Sequence, residues 1–265
     1  LCRRARGSRR WTVNCKISVI MPALNEEANI QRAVQNVAEA LSKMGIIGEI
    51  VVINDGSSDG TSDIVRELTE IYPFLRMLEH SEPMGIGASF MDGVRSARGE
   101  IVTMLPGDGE NDAFEILRYL PLMEHVDVVV PFIHNTDVRS RGRRILSALY
   151  RTIINLSFRM LLNYTNGTVI YRRCLLQDID LKANGFFYQT ELLIKCIKRG
   201  YFYAEVPCRL ERRTQGGSKA LNLSALGDVV RGYISTMAEV YFMGAGKGLI
   251  VSGSNTSNGK GYERG

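Results

Sequence analysis

Long apolar runs are missing from this sequence of 265 residues. No uninterrupted apolar stretch reaches the roughly 18 residues that a membrane-spanning helix needs, so we expect no transmembrane helix in the chain as given. The arginine-rich beginning has no apolar region behind it, and a secretory signal is therefore not predicted. Because the sequence starts at Leu1 rather than Met, a fragment that has lost a membrane segment stays an open alternative.

Cysteine and histidine are also scarce. The five cysteines are odd in number and lack the spacing of a metal site, which favours buried or free thiols in a reducing compartment over a disulfide framework. The three histidines are not spaced as metal ligands either. A Cys/His metal site is therefore not predicted.

Positive charge is concentrated in two zones. Residues 1–16 carry six basic residues without an acid, and six arginines lie between Arg139 and Arg159, again without an acid, whereas the rest of the chain is acidic. Basic zones on an acidic body indicate contact with phosphates or with an anionic surface. For residues 1–16 a solvated tail is the alternative.

Apolar periodicity predicts strands that alternate with helices. The strand candidates are residues 16–21, 49–54, 76–79, 101–105 and 126–131. Pro22 is expected to end the first strand, and Asn25 is expected to cap the helix that follows. This alternation predicts a three-layer α/β/α sandwich around a mostly parallel sheet.

The C-terminal half is predicted to contain amphipathic helices. Residues 144–162 have helical spacing, with Arg144, Arg151 and Arg159 on one face and mostly apolar residues elsewhere. Such a helix can lie at a membrane interface. A core-packed helix with a solvated arginine face is the alternative.

Polar residues follow three of the predicted strands: Asn25-Glu26, Asp55-Gly56 and Asp108. Taken singly, each is equally an ordinary turn or helix start. In a parallel sheet, however, ligands bind beyond the carboxyl ends of the strands. Their equivalent placement therefore predicts a shared site.

Several motifs occur in an order that is typical of one family. ISVIMPALNEE at 17–27 is followed by VVINDGSSDGT at 51–61, MGIGA at 84–88 and ARGE at 97–100. These segments resemble the inverting glycosyltransferases of family 2, which have a GT-A fold. In the C-terminal half, GFFYQTELL at 185–193, EVP at 205–207 and RTQGGSK at 213–219 resemble the dolichyl- and polyprenyl-phosphate sugar synthases of that family.

The resemblance implies a site for a UDP- or GDP-linked sugar. It assigns the nucleotide to Pro22, Ala23, Asn25, Glu26, Asp55, Gly56 and Gly107. It also implies Mg²⁺ or Mn²⁺ as the cofactor, with Asp108 and Glu110 as ligands that help to neutralise the diphosphate leaving group. For residues 107–112 a polar loop with a helix cap is the alternative.

An acceptor site is implied as well. Arg144, Ser147, Ser218 and Lys219 are expected to hold the phosphate of a polyprenyl or dolichyl phosphate, and Arg213 to act in catalysis together with Asp108. If the acceptor is instead a sugar hydroxyl, a carboxylate must take its proton, and Glu191 is the candidate.

The sequence departs from the synthases at several positions. Pro106 replaces the first Asp of their metal motif, and Pro83 replaces the Asn before their Gly-x-Gly. Residues 131–133 lack their Gly-Ser-Arg, and residues 163–169 lack the Asp and Arg of another segment. Two alternatives therefore stay open: transfer to a glycan or protein hydroxyl, and a catalytically silent protein that binds nucleotide sugars.

The expected function is transfer of one sugar, with inversion, to a polyprenyl or dolichyl phosphate. We expect a peripheral protein at the cytoplasmic face of a membrane, with no nucleic-acid partner. The expected organisation is a basic tail (1–15), a catalytic domain (16–220), an amphipathic juxtamembrane helix (221–251) and a disordered tail (252–265), because the last segment is rich in Gly, Ser and Asn.

Overall fold

The computed structural model describes residues 15–135, 141–165, 167–209 and 223–243. Within these ranges, seven strands form one sheet in the order β3-β2-β1-β4-β6-β5-β7. They are β1 (Ile17–Ala23), β2 (Gly48–Asn54), β3 (Leu75–Glu79), β4 (Ile101–Met104), β5 (Val128–Ile133), β6 (Ile170–Arg172) and β7 (Tyr203–Cys208). Only β6 runs antiparallel to its neighbours among these strands, so the predicted mostly parallel sheet is confirmed.

Helices connect the strands and cover the sheet. They are α1 (Ile30–Lys43), α2 (Thr61–Ile71), α3 (Ile86–Ser96), α4 (Ala113–Leu117), α5 (Arg141–Phe158), α6 (Arg173–Gln177), α7 (Tyr188–Lys198) and α8 (Leu223–Ala238). A short 3₁₀ helix (Leu120–Glu124) precedes β5, and a π-helical turn (Glu239–Met243) continues α8. No helix in the described ranges is long and apolar enough to cross a membrane.

Two apolar cores lie on opposite faces of the sheet. Successive side chains of a strand point to opposite faces, and β1 accordingly sends Val19 to the core beneath α1 and α2 and Ile20 to the core beneath α3, α5 and α7. The predicted three-layer α/β/α architecture is therefore confirmed.

Two residues near the end of β1 differ from the prediction. Pro22 does not end β1, because it pairs with Ile53 and its carbonyl still accepts a hydrogen bond from the Gly107 amide at 3.0 Å. Asn25 does not cap α1, since the helix begins only at Ile30, after Asn29. Asn25 instead adopts the left-handed region with a φ of 55°, which asparagine tolerates better than most residues.

The thiol prediction holds for three cysteines and fails for one. Cys196 and Cys208 are buried thiols outside any disulfide, and Cys15 is a half-buried one. Cys174 is disulfide-bonded, and its sequence context gave no signal of this. Cys2 lies outside the described residues. So do the predicted tails over 1–15 and 252–265, apart from Cys15.

Candidate active site

The carboxyl ends of β1, β2 and β4 meet at one edge of the sheet, where β1 lies between the other two strands. The Asp55 amide donates to the Ala23 carbonyl at 2.9 Å, and the Gly107 amide donates to the Pro22 carbonyl. Pro22 and Ala23 are themselves buried. The structure therefore brings the predicted nucleotide residues together at the place where open α/β sheets bind ligands.

The loops that follow β1 and β2 are joined by hydrogen bonds. The Asn25 amide donates to Ser57 Oγ at 3.0 Å, and the side-chain oxygen of Asn25 accepts from the Ser58 amide at 2.9 Å. The Glu26 amide donates to Thr61 Oγ1 at 2.9 Å. Asn25 and Glu26 thus fix the two loops to each other, a role that sequence motifs alone do not reveal.

Asp55 is buried and holds the loop that follows β3. Its carboxylate accepts from the amides of Met84 and Gly85, both at 2.9 Å, and lies 2.7 Å from His80 Nδ1. Burial by itself raises the pKa of Asp55, but the hydrogen bonds from His80, Met84 and Gly85 outweigh it and hold the pKa below its ordinary value. In the predicted nucleotide site, Asp55 therefore holds Met84 and Gly85 of this loop in place.

His80 was not singled out by the sequence. Its ring lies between two carboxylates, with Nδ1 at 2.7 Å from Asp55 and Nε2 at 3.2 Å from Asp92 Oδ2. Neither acid is close to His80 along the chain, so no local pattern could have indicated this arrangement.

Gly56 and Gly107 lie at positions of the candidate site where a side chain would clash with a neighbouring residue. A Cβ on Gly56, whose φ is 70°, would lie 2.8 Å from the Pro83 nitrogen, and a Cβ on Gly107 would lie 2.8 Å from Ile30 Cδ1. The loops after β2 and β4 therefore pack closely against their neighbours because these residues are glycines.

Asp108 and Glu110 follow β4 in a tight turn around Gly109, whose φ is 67°. The Glu110 amide donates to Asp108 Oδ1 at 3.0 Å, and both residues are half-buried. In the described ranges no group of three or more Asp, Glu, His or Cys side chains forms a ready metal site. Two carboxylates nevertheless fit Mg²⁺ or Mn²⁺, because such ions are often held by one or two carboxylates together with substrate phosphates.

The residues of α5 that the sequence predicts for the acceptor line a cavity. Its volume is about 580 Å³. Its lining combines cationic, polar and apolar side chains: Ile133, Arg141, Arg144, Ile145, Ser147, Ala148, Arg151, Asn163 and Tyr164. The two predicted acceptor residues, Arg144 and Ser147, thus line the same cavity. Arg141 and Arg151 line it as well. Arg151 was predicted on the same helix face as Arg144, whereas the only sequence signal for Arg141 was the basic zone.

Apolar side chains are exposed along α5 and α8. On α5 and just beyond it they are Ile145, Leu146, Leu149, Ile153, Leu156 and Leu161, of which Leu156 is 76% exposed. On α8 they are Leu226, Val230 and Ile234, spaced by four residues. The two helices are in contact, since Ser157 Oγ lies 2.7 Å from the Tyr233 hydroxyl.

Glu191 lies in the interior, which corrects its assignment as a proton acceptor. Its side chain is 0% exposed, and its carboxylate accepts from the amides of Lys182 and Ala183 at 3.1 and 2.9 Å and pairs with Lys195 Nζ at 2.7 Å. An enclosed carboxylate with these partners does not reach a substrate hydroxyl. Arg213, Ser218 and Lys219 lie outside the described residues.

Comparison with known proteins agrees with this architecture. The family model for glycosyl transferase family 2 matches residues 18–180, which is more than half of the chain. A polyprenol monophosphomannose synthase of Mycolicibacterium smegmatis is 30% identical over 217 residues, which cover 76% of this chain and 79% of that protein. A dolichyl-phosphate beta-glucosyltransferase of Trichomonas vaginalis is 34% identical over 109 residues, which cover 38% of this chain and about a third (34%) of that protein.

Solved structures show the same fold. The glucosyl-3-phosphoglycerate synthase of Mycobacterium tuberculosis, crystallised with Mg²⁺ and uridine diphosphate, superposes with a TM-score of 0.62 at 23% identity. The superposition covers 87% of this chain and 83% of that one. The chain therefore has a GT-A fold and belongs to glycosyl transferase family 2.

Proposed function

We propose that the protein transfers a sugar from a nucleoside diphosphate sugar to the phosphate of a polyprenyl or dolichyl phosphate, with inversion. The observation that carries the proposal is the cavity of about 580 Å³ at the start of α5. Arginines and apolar side chains line the same space, and a lipid phosphate needs both. The names of the relatives from Mycolicibacterium smegmatis and Trichomonas vaginalis support this acceptor class.

The proposed reaction is a single in-line displacement. An oxygen of the acceptor phosphate attacks the anomeric carbon and forms a new C–O bond, while the bond from that carbon to the nucleoside diphosphate breaks and the electron pair leaves with the diphosphate. Arg144 and Ser147 would orient the attacking phosphate, since a guanidinium and a hydroxyl both donate to phosphate oxygens. Asn25, Glu26 and Asp55 would fix the loops that hold the nucleotide.

A divalent ion would be held by Asp108 and Glu110 together with the diphosphate of the donor. When bound, Mg²⁺ or Mn²⁺ supplies positive charge that stabilises the departing diphosphate. The neighbours crystallised with Mg²⁺ or Mn²⁺ and uridine diphosphate support this cofactor class.

A phosphate acceptor also suits the buried position of Glu191. The second pKa of a phosphate monoester is about 6, so the group is largely dianionic at neutral pH. Its oxygen can therefore attack without a general base. A hydroxyl acceptor would need one, and the carboxylate that the sequence offered for that role is enclosed.

Arg144→Gln tests the acceptor site. We expect this variant to raise the KM for a short polyprenyl phosphate about tenfold, because it removes a charged hydrogen-bond donor, and to leave the KM for the nucleotide sugar unchanged. Arg118→Gln, at an arginine that pairs with Glu115 on α4, is the control and should change neither value. An equal rise in both KM values, or none, would contradict the assignment.

We further propose that the exposed apolar rows of α5 and α8 contact the membrane that carries the acceptor. Apolar rows beside arginines are typical of helices that lie in an anionic membrane interface. Vesicles of phosphatidylcholine and phosphatidylglycerol should bind the wild-type protein, and Leu149→Glu with Leu156→Glu should weaken that binding at least about tenfold.

The matched control is Ile71→Glu, at a residue of similar exposure at the end of α2. It should bind vesicles as the wild type does. Equal binding by the double variant and the control would exclude this face as the membrane contact.

A further inference from the structure

A charged network, buried at Glu191 and Lys195 and half-buried at Glu239, joins α7 to the end of α8. Lys195 is 4% exposed, and its Nζ lies 2.7 Å from Glu191 Oε1 and 3.0 Å from Glu239 Oε2. Glu239 belongs to the π-helical turn that continues α8. Burial by itself raises the pKa of Glu239, but Lys195 and Lys182 outweigh it and hold the pKa below its ordinary value. Glu239 is therefore ionised near neutral pH.

The network leads to the loop that Asp55 holds. Glu191 accepts hydrogen bonds from the amides of Lys182 and Ala183. The carbonyl of the next residue, Asn184, accepts from the Gly87 amide at 2.8 Å, at the start of α3. Residues 83–87 thus receive contacts from two sides: from Asp55 through Met84 and Gly85, and from Glu191 through residues 182–184.

The two loops are in close contact, so we expect a shift of one to move the other. A Cβ on Gly87 would lie 2.6 Å from the Ala183 carbonyl oxygen, and a Cβ on Gly85 would lie 2.8 Å from the Asn184 carbonyl oxygen. A displacement of residues 182–184 therefore displaces the loop beside Asp55. The carboxylate of Glu191 fixes the position of residues 182–184, and Lys195 fixes the carboxylate.

The placement of the network favours a role beyond stability alone. Buried ion pairs often contribute little net stability, because removing both charges from water costs about as much as their attraction returns. Here, however, the pair is connected to backbone amides that lead to the candidate nucleotide site and to the end of another helix.

We propose that Lys195 is a positioning residue for the proposed nucleotide site, and that it couples the end of α8 to residues 83–87 beside Asp55. This inference rests on the proposed function, because that function places residues 83–87, which Asp55 holds, at the nucleotide site. Coupling between two linked sites typically changes the affinity of one of them about 5- to 150-fold. Loosening the α8 end of the network should therefore weaken nucleotide binding.

Glu239→Gln carries the test, because Lys195→Met would leave the enclosed Glu191 carboxylate without its cation and risks unfolding. The protein with Mg²⁺ is titrated with uridine and guanosine diphosphates by calorimetry, and amide hydrogen exchange is followed at residues 83–87 and 182–185. We expect at least about a fivefold loss of nucleotide affinity and faster exchange in both segments. Glu39→Gln, in the exposed Glu39–Lys43 pair on α1, is the matched control and should change neither.

Unchanged affinity and unchanged exchange at residues 83–87 in Glu239→Gln would overturn the proposal, even if the melting temperature falls. If the wild-type protein binds neither nucleotide, the proposed function fails, and the exchange at residues 83–87 alone decides whether the coupling exists.

Discussion

Replacing Asp108 by asparagine is expected to lower kcat for sugar transfer about 10²- to 10³-fold, while the melting temperature stays near that of the wild type. Asparagine has nearly the same shape, so the turn around Gly109 is retained, but the charge that would help hold a divalent ion against the diphosphate is lost. Initial rates at saturating donor and acceptor, measured over a range of Mg²⁺ and Mn²⁺ concentrations, check this result.

Asp112→Asn is the matched control in the same loop. Asp112 caps α4 by accepting a hydrogen bond from the Phe114 amide at 2.9 Å, and asparagine caps helices about as well. Its kcat should therefore remain close to that of the wild type. Equal kcat values for the two variants would show that the residues after β4 do not hold the ion.

Asp55→Ala is expected to lower the free energy of unfolding by about 3–5 kcal/mol. The substitution leaves the amides of Met84 and Gly85 without the buried carboxylate that accepts from them and removes a partner of His80. Urea unfolding at neutral pH measures the loss. Asp63→Ala, at an exposed acid that pairs with Arg66 on α2, is the control and should cost less than about 1 kcal/mol.

The stability difference between wild type and Asp55→Ala should depend on pH. Since the pKa of Asp55 is lower in the folded protein than its ordinary value of 3.8, its ionised form stabilises the fold fully above that ordinary value. The part of the difference due to Asp55 ionisation should shrink as the pH falls from about 5 through the pKa of the folded state. A difference that grows on acidification would contradict the hydrogen-bonding account of Asp55.

The sheet was predictable because its strands carry a clear local signal. The buried runs of β1, β2 and β4 are continuous apolar segments followed by polar turns, which is how strands of a parallel sheet are recognised. The continuation of β1 through Pro22 was not predictable, because the Pro22 carbonyl accepts from the Gly107 amide, a partner more than 80 residues away in the sequence. A short strand was predicted at residues 167–171, which overlaps β6, but its three residues give no signal of the antiparallel direction.

The candidate site was predictable as a set of motifs but not as a set of contacts. The strand ends identified Asn25, Asp55 and Asp108, whereas nothing local indicated that Asp55 binds the amides after β3 or that His80 lies beside it. Glu191 illustrates the limit most clearly. Its motif resembles the synthases, but only the packing of α7 shows that the carboxylate is enclosed. The four-residue spacing to Lys195 was the one available signal of a pair.

The most direct test of the central claim is a transfer assay with the wild-type protein, vesicle-bound polyprenyl phosphate, Mg²⁺ or Mn²⁺, and a panel of UDP- and GDP-linked sugars. The account predicts one lipid-linked monosaccharide with inverted anomeric configuration, formed at the expense of one nucleoside diphosphate sugar. Transfer only to a soluble saccharide or protein hydroxyl, or nucleotide binding without any product from the whole panel, would contradict it.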